Sequence, residues 1–348
     1  MKKKVLALLM ASAMALSMAA CSGNAGQGGS PSSAGSPAPA NSGSQAPAGS
    51  GDPSAGDQTY TIGICQLAPH PALDAATQGF KDVLTEKLGD KVKFSEGNAG
   101  GEANNCIPIV DGFFSENVDL ILANATAPLQ TAASATSEIP ILGTSVTDYA
   151  TALGIDNWTG TVGNNISGTS DLAPLDQQAE MLHEMFPDAK NVGLLYCSAE
   201  PNSVYQVEVV SEALTGMGYT CTNFAFTDVN DLASVTQSAC DSSDVIYIPT
   251  DNTAANNTET IANVVIPAKM PVVAGEEGIC SGCGVVTLSI SYYDIGKIAG
   301  EMAYDILVNG ADVTAMPIQF APEVTKKYNA ANCQALNITV PDGYEAIG

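Results

Sequence analysis

The amino-acid sequence predicts an α/β protein made of two doubly wound parallel-sheet lobes, and three observations carry this prediction. Short strand-like runs alternate with helical patterns from Tyr60 onward, as in open sheets with right-handed crossovers. The same pattern restarts at Asn191 with similar residues in the same order. The spacing repeats as well, because Gly63 lies 56 residues before Asp119 and Gly193 lies 51 residues before Asp244. The folded part of the chain therefore contains two similar halves.

The first half begins with a strand over Tyr60–Cys65, and Leu73–Leu88 follows with the apolar spacing of a helix. Val118–Ala123 is nearly all apolar, which is typical of a strand buried on both faces of a parallel sheet. Ile139–Leu142 is a further short apolar run, and we expect a strand there too. These elements alternate as one doubly wound lobe requires.

The second half repeats this order with five apolar runs that predict strands. These runs are Val192–Cys197, Tyr219–Phe226, Asp244–Pro249, Pro271–Ala274 and Val285–Ile290. Three segments are suited to cross between the lobes, and they lie near Gly163–Ser170, Leu288–Ser291 and Thr314–Ile318. Tyr292–Asn309 has the pattern of a late helix that returns to the first lobe. The predicted lobes are residues 59–166 with about 292–313, and residues 167–291 with about 314–348.

The N-terminus has the three-part build of a secretory signal over residues 1–20. Three lysines precede an apolar run from Val5 to Ala20, which is too short for a stable membrane span. Met18-Ala-Ala-Cys21 then resembles a bacterial lipobox, in which the cysteine is lipidated, for example with palmitate, and becomes the first mature residue. An ordinary secretory signal is the alternative, because Met18 departs from the aliphatic residue that the lipobox prefers.

The segment after Cys21 is predicted to be a disordered tether over residues 21–58. It consists almost entirely of Ser, Gly, Ala, Pro, Asn and Gln, and it has no apolar side chain larger than alanine or proline. A flexible coil of this length spans about 30–35 Å on average. With a lipid on Cys21, it would hold a folded domain on the extracellular face of a bacterial cell membrane.

The charge composition restricts the kinds of molecule that the protein can bind. The formal net charge is −25, and all 12 basic residues are lysines. A nucleic-acid binder is excluded because no basic face can be built. Recognition of phosphate, sulfate or a dicarboxylate through guanidinium groups is excluded as well, because the chain has no arginine. The sequence therefore favours a small neutral or zwitterionic ligand, and we expect no cofactor.

Nine cysteines suggest a disulfide framework only weakly, because a folded part of this length can form a stable core without disulfide cross-links. Apart from Cys21 they are Cys65, Cys106, Cys197, Cys221, Cys240, Cys280, Cys283 and Cys333. The Cys280-Ser-Gly-Cys283 spacing favours a local disulfide or free thiols in a turn. No metal site is expected, because the only histidines are His70 and His183.

Ligands of open α/β sheets bind beyond the carboxyl ends of the strands, and the loops at those ends are polar here. The candidate ligand-binding residues on these loops are Gln66, His70, Asn124, Thr126, Ser145, Thr147, Asn202, Ser203, Asp251, Asn252 and Glu276. A zwitterionic amino acid suits this set. Its carboxylate would take hydroxyl and helix N-terminal amide donors of the first half, and its ammonium would take a carboxylate of the second half.

Within this set, Thr126, Ser145 and Thr147 are the candidate hydroxyl donors, and Asp251 or Glu276 is the candidate acid. Asp251 is preferred because it occupies the strand-end position that matches Thr126. Helix capping is the equal alternative for the hydroxyl groups, and an Asx turn or cap is the alternative for Asp251. His70 is either a structural hydrogen-bonding group or a ligand contact.

Enzymatic motifs are missing from the sequence. It contains no G-x-S-x-G elbow, no P-loop and no G-x-G-x-x-G segment placed after a strand. We therefore do not expect an enzyme.

Several motifs resemble an ABC-transporter substrate-binding lipoprotein family whose better-known members take up tryptophan or tyrosine. The resemblance runs from Tyr60 to the C-terminus and includes His70-Pro-Ala-Leu-Asp74, Ser198-Ala-Glu-Pro-Asn-Ser203, Pro249-Thr-Asp-Asn-Thr253 and Tyr292-Tyr-Asp-Ile-Gly296. It implies the type I periplasmic-binding-protein fold, with three crossovers between the lobes. It also implies delivery of tryptophan, tyrosine or phenylalanine to an ABC permease in the membrane, and we expect a monomer.

Two other functions fit the same fold. One is a surface or sensory ligand-binding protein that takes no part in transport. The other is a receptor for a neutral sugar, which suits the absence of arginine but lacks aromatic platforms, since aromatic residues make up only 6% of the chain.

Overall fold

Two sheets, each covered by helices on both faces, form the core of the computed structural model, which describes residues 58–347. In chain order the first elements are β1 (Tyr60–Gln66), α1 (Pro71–Leu88), β2 (Val92–Asn98), α2 (Cys106–Glu116), β3 (Leu120–Asn124), α3 (Thr126–Ala135), β4 (Ile141–Val146), α4 (Tyr149–Leu153) and β5 (Ile166–Ser170). The predicted signal peptide, Cys21 and the tether up to residue 57 lie outside the described residues.

The next elements belong to the second sheet and its helices. They are α5 (Leu175–Met185), β6 (Asn191–Cys197), α6 (Pro201–Gly216), β7 (Thr220–Phe226), α7 (Val229–Ser242), β8 (Val245–Ile248), α8 (Asn252–Asn256), α9 (Thr258–Val265), β9 (Val272–Ala274), α10 (Glu277–Gly282) and β10 (Val286–Ile290). The described chain ends with α11 (Tyr292–Leu307), β11 (Gln319–Phe320), β12 (Val324–Tyr328), α12 (Ala330–Leu336) and β13 (Glu345–Ala346).

The first sheet has the strand order β11-β5-β4-β3-β1-β2, and all of its pairs are parallel. The second has the order β13-β12-β10-β9-β8-β6-β7, in which only the β10–β12 pair is antiparallel. The two sheets with their helices are called the first and second lobes below. This arrangement confirms the predicted α/β class with two parallel-dominated sheets.

The chain passes between the sheets three times, at residues 171–174, at Ser291 and at residues 321–323. Two of the predicted lobe boundaries differ from this. β5 and β11 pair within the first sheet, so that sheet extends to Ser170 and takes in Phe320, beyond the boundaries predicted at residues 166 and about 313. The segment Gly163–Ser170, predicted as a crossing, is largely a buried strand.

Helix α11 returns to the first lobe and packs closely on α1. Glycines make this approach possible, because a Cβ atom at Gly296 would collide with the backbone oxygen of Ala76, and one at Gly79 with that of Tyr293. Helix α1 begins at Pro71, whose fixed φ suits a first helical position, and it ends at Gly89, which has φ 55°. Within residues 58–347, no helix is long and apolar enough to cross a bilayer.

Candidate functional site

The carboxyl-end loops of the two sheets meet across a cleft. His70, which follows β1, places its Nε2 atom 3.4 Å from the Oδ1 atom of Asn252, which follows β8. Closer to the crossings, the hydroxyl of Tyr292 donates to Oδ2 of Asp171 at 2.9 Å. Most of the predicted site residues are buried. The structure therefore has its lobes closed over a polar interior.

The first lobe contains buried polar atoms that have no hydrogen-bond partner. The Ser145 hydroxyl and the Asn124 side-chain oxygen are buried and have no hydrogen-bond partner. Ser145 has φ 54°, and the neighbouring Ala125 has φ 98°. Residues other than glycine adopt backbone conformations with positive φ only at a cost in energy. Ala125 precedes α3 and provides no side-chain cap, so the first amides of that helix have no side-chain acceptor. Hydroxyl and amide donors of this kind suit a carboxylate.

Asp171 is the acid that the sequence reasoning missed. It follows β5, is only 4% exposed, and leaves its Oδ1 atom without a partner. Burial raises its pKa, and hydrogen bonds from Tyr292 and Thr147 offset this only in part. Asp171 takes no part in the ion pairs that Lys81, Lys87, Lys297, Lys326 and Lys327 form with other acids. In the sequence, Asp171 directly follows Gly163–Ser170, a segment that was interpreted as a crossing and not as a strand.

Asp171 and Ser145 come from neighbouring strands. Val146 of β4 pairs with Ser170 of β5, so each of the two site residues lies one position away from this pair. The hydroxyl of Ser170 also donates to the backbone oxygen of Thr147 at 2.8 Å, which fixes the two strand ends together. A free carboxylate oxygen and a free hydroxyl are thus brought to one end of the first sheet.

The acids predicted in the second lobe are occupied by backbone amides. Asp251 accepts from the amides of Cys197 at 2.7 Å and Ala254 at 2.8 Å, and the second bond caps α8. Glu276 accepts from the amides of Gly278 and Ile279 and caps α10. Burial raises the pKa of each acid to about 7, and the charge of Glu200 adds to the effect on Asp251. The capping alternative therefore describes their contacts in this structure.

Four further predicted residues lie among contacts within their own lobes. Gln66 donates to Asp74 at 2.6 Å and accepts from Thr77 at 2.7 Å. Asn124 donates to the backbone oxygen of Leu73 at 2.8 Å. Asn202 donates to the backbone oxygen of Thr250 at 3.0 Å, next to the buried Ser203.

Glu200, another residue that the sequence reasoning did not single out, organises the loop after β8. Its two carboxylate oxygens accept from the backbone and side chains of Asn252 and Thr253 at 2.7–2.9 Å. Asn252 is thereby held in front of His70, whose pKa is lowered mainly by burial. The only predicted residue left is Thr126, which is buried at the start of α3 beside the uncapped amides.

A groove of about 1080 Å³ includes His70, Glu276 and Tyr292 among its lining residues. Both lobes line it, and its apolar walls include Ala72, Ala75, Ile290 and Ile298. Tyr292 also lines the groove and hydrogen-bonds to Asp171, so the groove borders the buried acid. The space can hold the side chain of a ligand whose charged groups are bound deeper in the cleft.

Replacing Asp251 with alanine should destabilise the fold by about 2–3 kcal/mol, because the change removes a buried helix cap and leaves the Cys197 amide without an acceptor. Thermal unfolding of Asp251→Ala measures the loss. Asp228→Ala is the matched control, since Asp228 caps α7 at the surface and should cost about 1 kcal/mol. Equal unfolding temperatures for Asp251→Ala and wild type would show that the cap is unimportant.

The unliganded protein should lose stability as the pH rises from about 4.5 to 7. Glu276 has a pKa of about 7 in the fold and 4.5 as its ordinary value, so it keeps a proton that the unfolded chain has already released. Its contribution is full below pH 4.5 and is lost as the pH passes 7, by about 3 kcal/mol. Calorimetric unfolding between pH 4.5 and 8 tests this. Glu276→Gln should show a shallower decline, and parallel curves for the two proteins would contradict the assignment.

The thiols and the possible metal ligands complete the site description. All eight cysteines within residues 58–347 are free, and Cys280 and Cys283 are both buried. The sequence left a local disulfide or free thiols open for this pair, and the structure has free thiols. Across the same residues, no three histidine, cysteine or acidic side chains are arranged to hold a metal ion.

Comparison with known proteins agrees with the fold and the cleft. Residues 61–346 match the family model described as ABC transporter substrate binding protein. The tyrosine-binding protein of Clostridioides difficile (strain R20291) is 30% identical over 340 residues, which are 97% of this chain and 93% of that protein.

Two solved structures are similar over 83% of the chain. The ABC domain from Streptococcus pneumoniae in complex with L-Trp is 28% identical, is covered completely and has a TM-score of 0.79. A ligand-free, open substrate-binding protein with adhesive properties from Clostridium difficile is 32% identical, is 99% covered and has a TM-score of 0.65. The fit is higher to the ligand-bound structure, in keeping with the closed cleft. The predicted type I periplasmic-binding-protein fold is confirmed, and the chain belongs to the ABC transporter substrate-binding protein family.

Proposed function

We propose that the protein is a lipid-anchored, monomeric receptor outside the cytoplasm that captures an aromatic amino acid and delivers it to an ABC permease. The observation that carries the ligand class is Asp171, a buried acid with one unpartnered oxygen and no cation beside it. A buried charge needs a compensating partner, and an α-ammonium group supplies one. The names of the relatives, one tyrosine-binding and one bound to L-Trp, support the same class.

In this proposal the ligand's two charged groups are held at the carboxyl end of the first sheet. The ammonium donates to Oδ1 of Asp171, and the carboxylate accepts from the Ser145 hydroxyl and the first amides of α3. The aromatic side chain lies toward the groove, against Tyr292 and Ile290. The second lobe contributes closure, because its loop around Asn252 meets His70 only when the lobes come together. Asp171 thus takes the role that the sequence suggested for Asp251.

Calorimetric titration with the twenty amino acids tests the ligand class. We expect tyrosine, tryptophan or phenylalanine to bind most tightly and a neutral sugar such as glucose to give no heat. Tyramine lacks the carboxylate and 3-(4-hydroxyphenyl)propionate lacks the ammonium, so each should bind at least about 100-fold more weakly than tyrosine if both charges are recognised. The absence of heat from every amino acid would refute the proposal.

The receptor should release its ligand chemically unchanged. The contacts described above bind and orient charged groups, and the family to which the chain belongs consists of substrate-binding proteins. Native mass spectrometry of the complex, followed by dissociation, should recover the intact amino acid. A product of altered mass would indicate catalysis instead.

Membrane attachment depends on Cys21 in this proposal, since it ends the lipobox-like segment. Expression of the full chain in a bacterial host with labelled palmitate should label the wild type. The Cys21→Ser variant should remain unlabelled and should be found in the culture medium. Equal membrane retention of the two proteins would rule out the lipid anchor without affecting the ligand assignment.

A further inference from the structure

Two buried thiols beneath the cleft have no part in ligand binding as proposed above. Cys65 lies in β1, directly before Gln66 at the strand end, and Cys106 is the first residue of α2. Both side chains are completely buried and belong to the same apolar cluster of the first lobe. The 40 residues between them include α1, β2 and the His70 loop.

The packing of α2 on β1 brings these thiols together. The buried face of α2 consists of Cys106, Val110 and Phe113, which recur at helical spacing. The Phe113 ring lies over Gly63, where a Cβ atom would collide with it. Cys65 is two residues beyond Gly63 and thus on the same face of the strand. Two helical turns before Phe113, Cys106 reaches the level of Cys65.

Each of the two thiols perturbs the pKa of the other, as their shared position in the packing predicts. The pKa of Cys65 is raised, chiefly by its hydrogen bond to Cys106, and the pKa of Cys106 is lowered by the same bond. The thiols of Cys197, Cys283 and Cys333 differ in this respect, because each donates to a backbone oxygen.

We propose that Cys65 and Cys106 are a disulfide-forming pair that oxidises when the exported chain folds. The proposal rests on the proposed location outside the cytoplasm, where disulfides persist. Because both thiols are buried in the folded state, exchange takes place before α2 has docked on β1. The bond then joins the end of β1, and so the start of the Gln66–His70 loop, to the helix beneath it.

The chemistry requires a disulfide oxidant of low molecular mass. The Cys106 thiolate attacks a sulfur of the oxidant, forms a mixed disulfide and releases one thiol. The Cys65 thiol loses its proton and attacks the Cys106 sulfur, which releases the second thiol. One protein dithiol and one oxidant disulfide thus become one protein disulfide and two small thiols, with two electrons transferred.

Refolding the full chain from denaturant in a mixture of oxidised and reduced glutathione tests the proposal. After alkylation and digestion under non-reducing conditions, we expect a peptide pair linked through Cys65 and Cys106 and the loss of two free thiols. The oxidised protein should unfold about 5–10 °C above the same protein treated with dithiothreitol, because the bond closes a long loop. Cys65→Ala and Cys106→Ala should each lose this difference, whereas Cys221→Ala, at a half-buried site in β7, should keep it.

Full alkylation of Cys65 and Cys106 after oxidative refolding would overturn the proposal, and so would a linkage of either one to another cysteine. Because the wild type gives this result directly, failure of a variant to fold does not affect the test. Titration with tyrosine on the same samples separates the two proposals. Loss of binding with the linkage present refutes the ligand proposal alone, and binding without the linkage refutes the disulfide alone.

Discussion

Asp171→Asn should lower the affinity for an aromatic amino acid at least about 100-fold, equivalent to about 3 kcal/mol. The substitution keeps the shape of the side chain and an acceptor for the Tyr292 hydroxyl, but it removes the charge that faces the ligand's ammonium. Titration calorimetry of the purified variant measures the effect. Asp176→Asn is the matched control, because Asp176 lies five residues further on and is exposed in the first turn of α5.

The pH dependence of binding provides a second measurement on the same residue. Burial raises the pKa of Asp171 in the unliganded protein, and the ammonium must favour its ionised form. Binding should therefore release a proton and become tighter as the pH rises through the raised pKa. Heats measured in buffers of different ionisation enthalpy report the released proton. Unchanged affinity in Asp171→Asn would return the ammonium to Asp251 or Glu276, and proton uptake on binding would contradict a pairing of the ammonium with any of these buried acids.

Gly296→Ala should destabilise the first lobe by about 2–4 kcal/mol, although it adds only one methyl group. That methyl would meet the backbone of Ala76 on α1, and backbone cannot move aside without separating α11 from α1. Gly112→Ala is the matched control, because Gly112 also lies within a helix, α2, and a Cβ atom there meets nothing within 4 Å.

Thermal denaturation should place Gly296→Ala about 5–12 °C below the wild type and Gly112→Ala at or slightly above it. Equal midpoints for the two variants would mean that the α1–α11 approach is less tight than described. The comparison is informative for function, because α11 carries Tyr292 at its first turn and so sets the position of a cleft residue.

The sequence predicted the buried strands well, because their signal is a continuous apolar run. Val118–Ala123 and Val192–Cys197 agree with β3 and β6 within two residues at each end. β2 was not predicted, since it is an edge strand that includes polar, exposed residues such as Lys93 and Glu96. β5 was misread because Ile166-Ser-Gly-Thr-Ser170 is small and polar, although the sheet buries it completely.

The sequence indicated where the candidate residues lie in the fold, but not which contacts their side chains make. The strand-end rule brought residues such as His70, Asn252 and Ser145 to the facing loops, and the structure brings them there. It does not tell which way a carboxylate oxygen points. Asp251 has the right position, but local amides take both of its oxygens, and Asp171 was overlooked because its strand was. The position of a residue in the sequence determines where its backbone lies in the fold, and the competition for hydrogen bonds determines what its side chain does.

The uncompensated acid at the crossings has a consequence for transport. With nothing bound, a closed receptor must either keep a proton on Asp171 or bury an unpaired negative charge, and either requirement favours the open form of the empty receptor. The ammonium group of a bound ligand supplies the missing positive charge and makes the closed form favourable. A permease that binds only closed receptors would then not bind empty ones, and its ATPase would not hydrolyse ATP in the absence of a ligand.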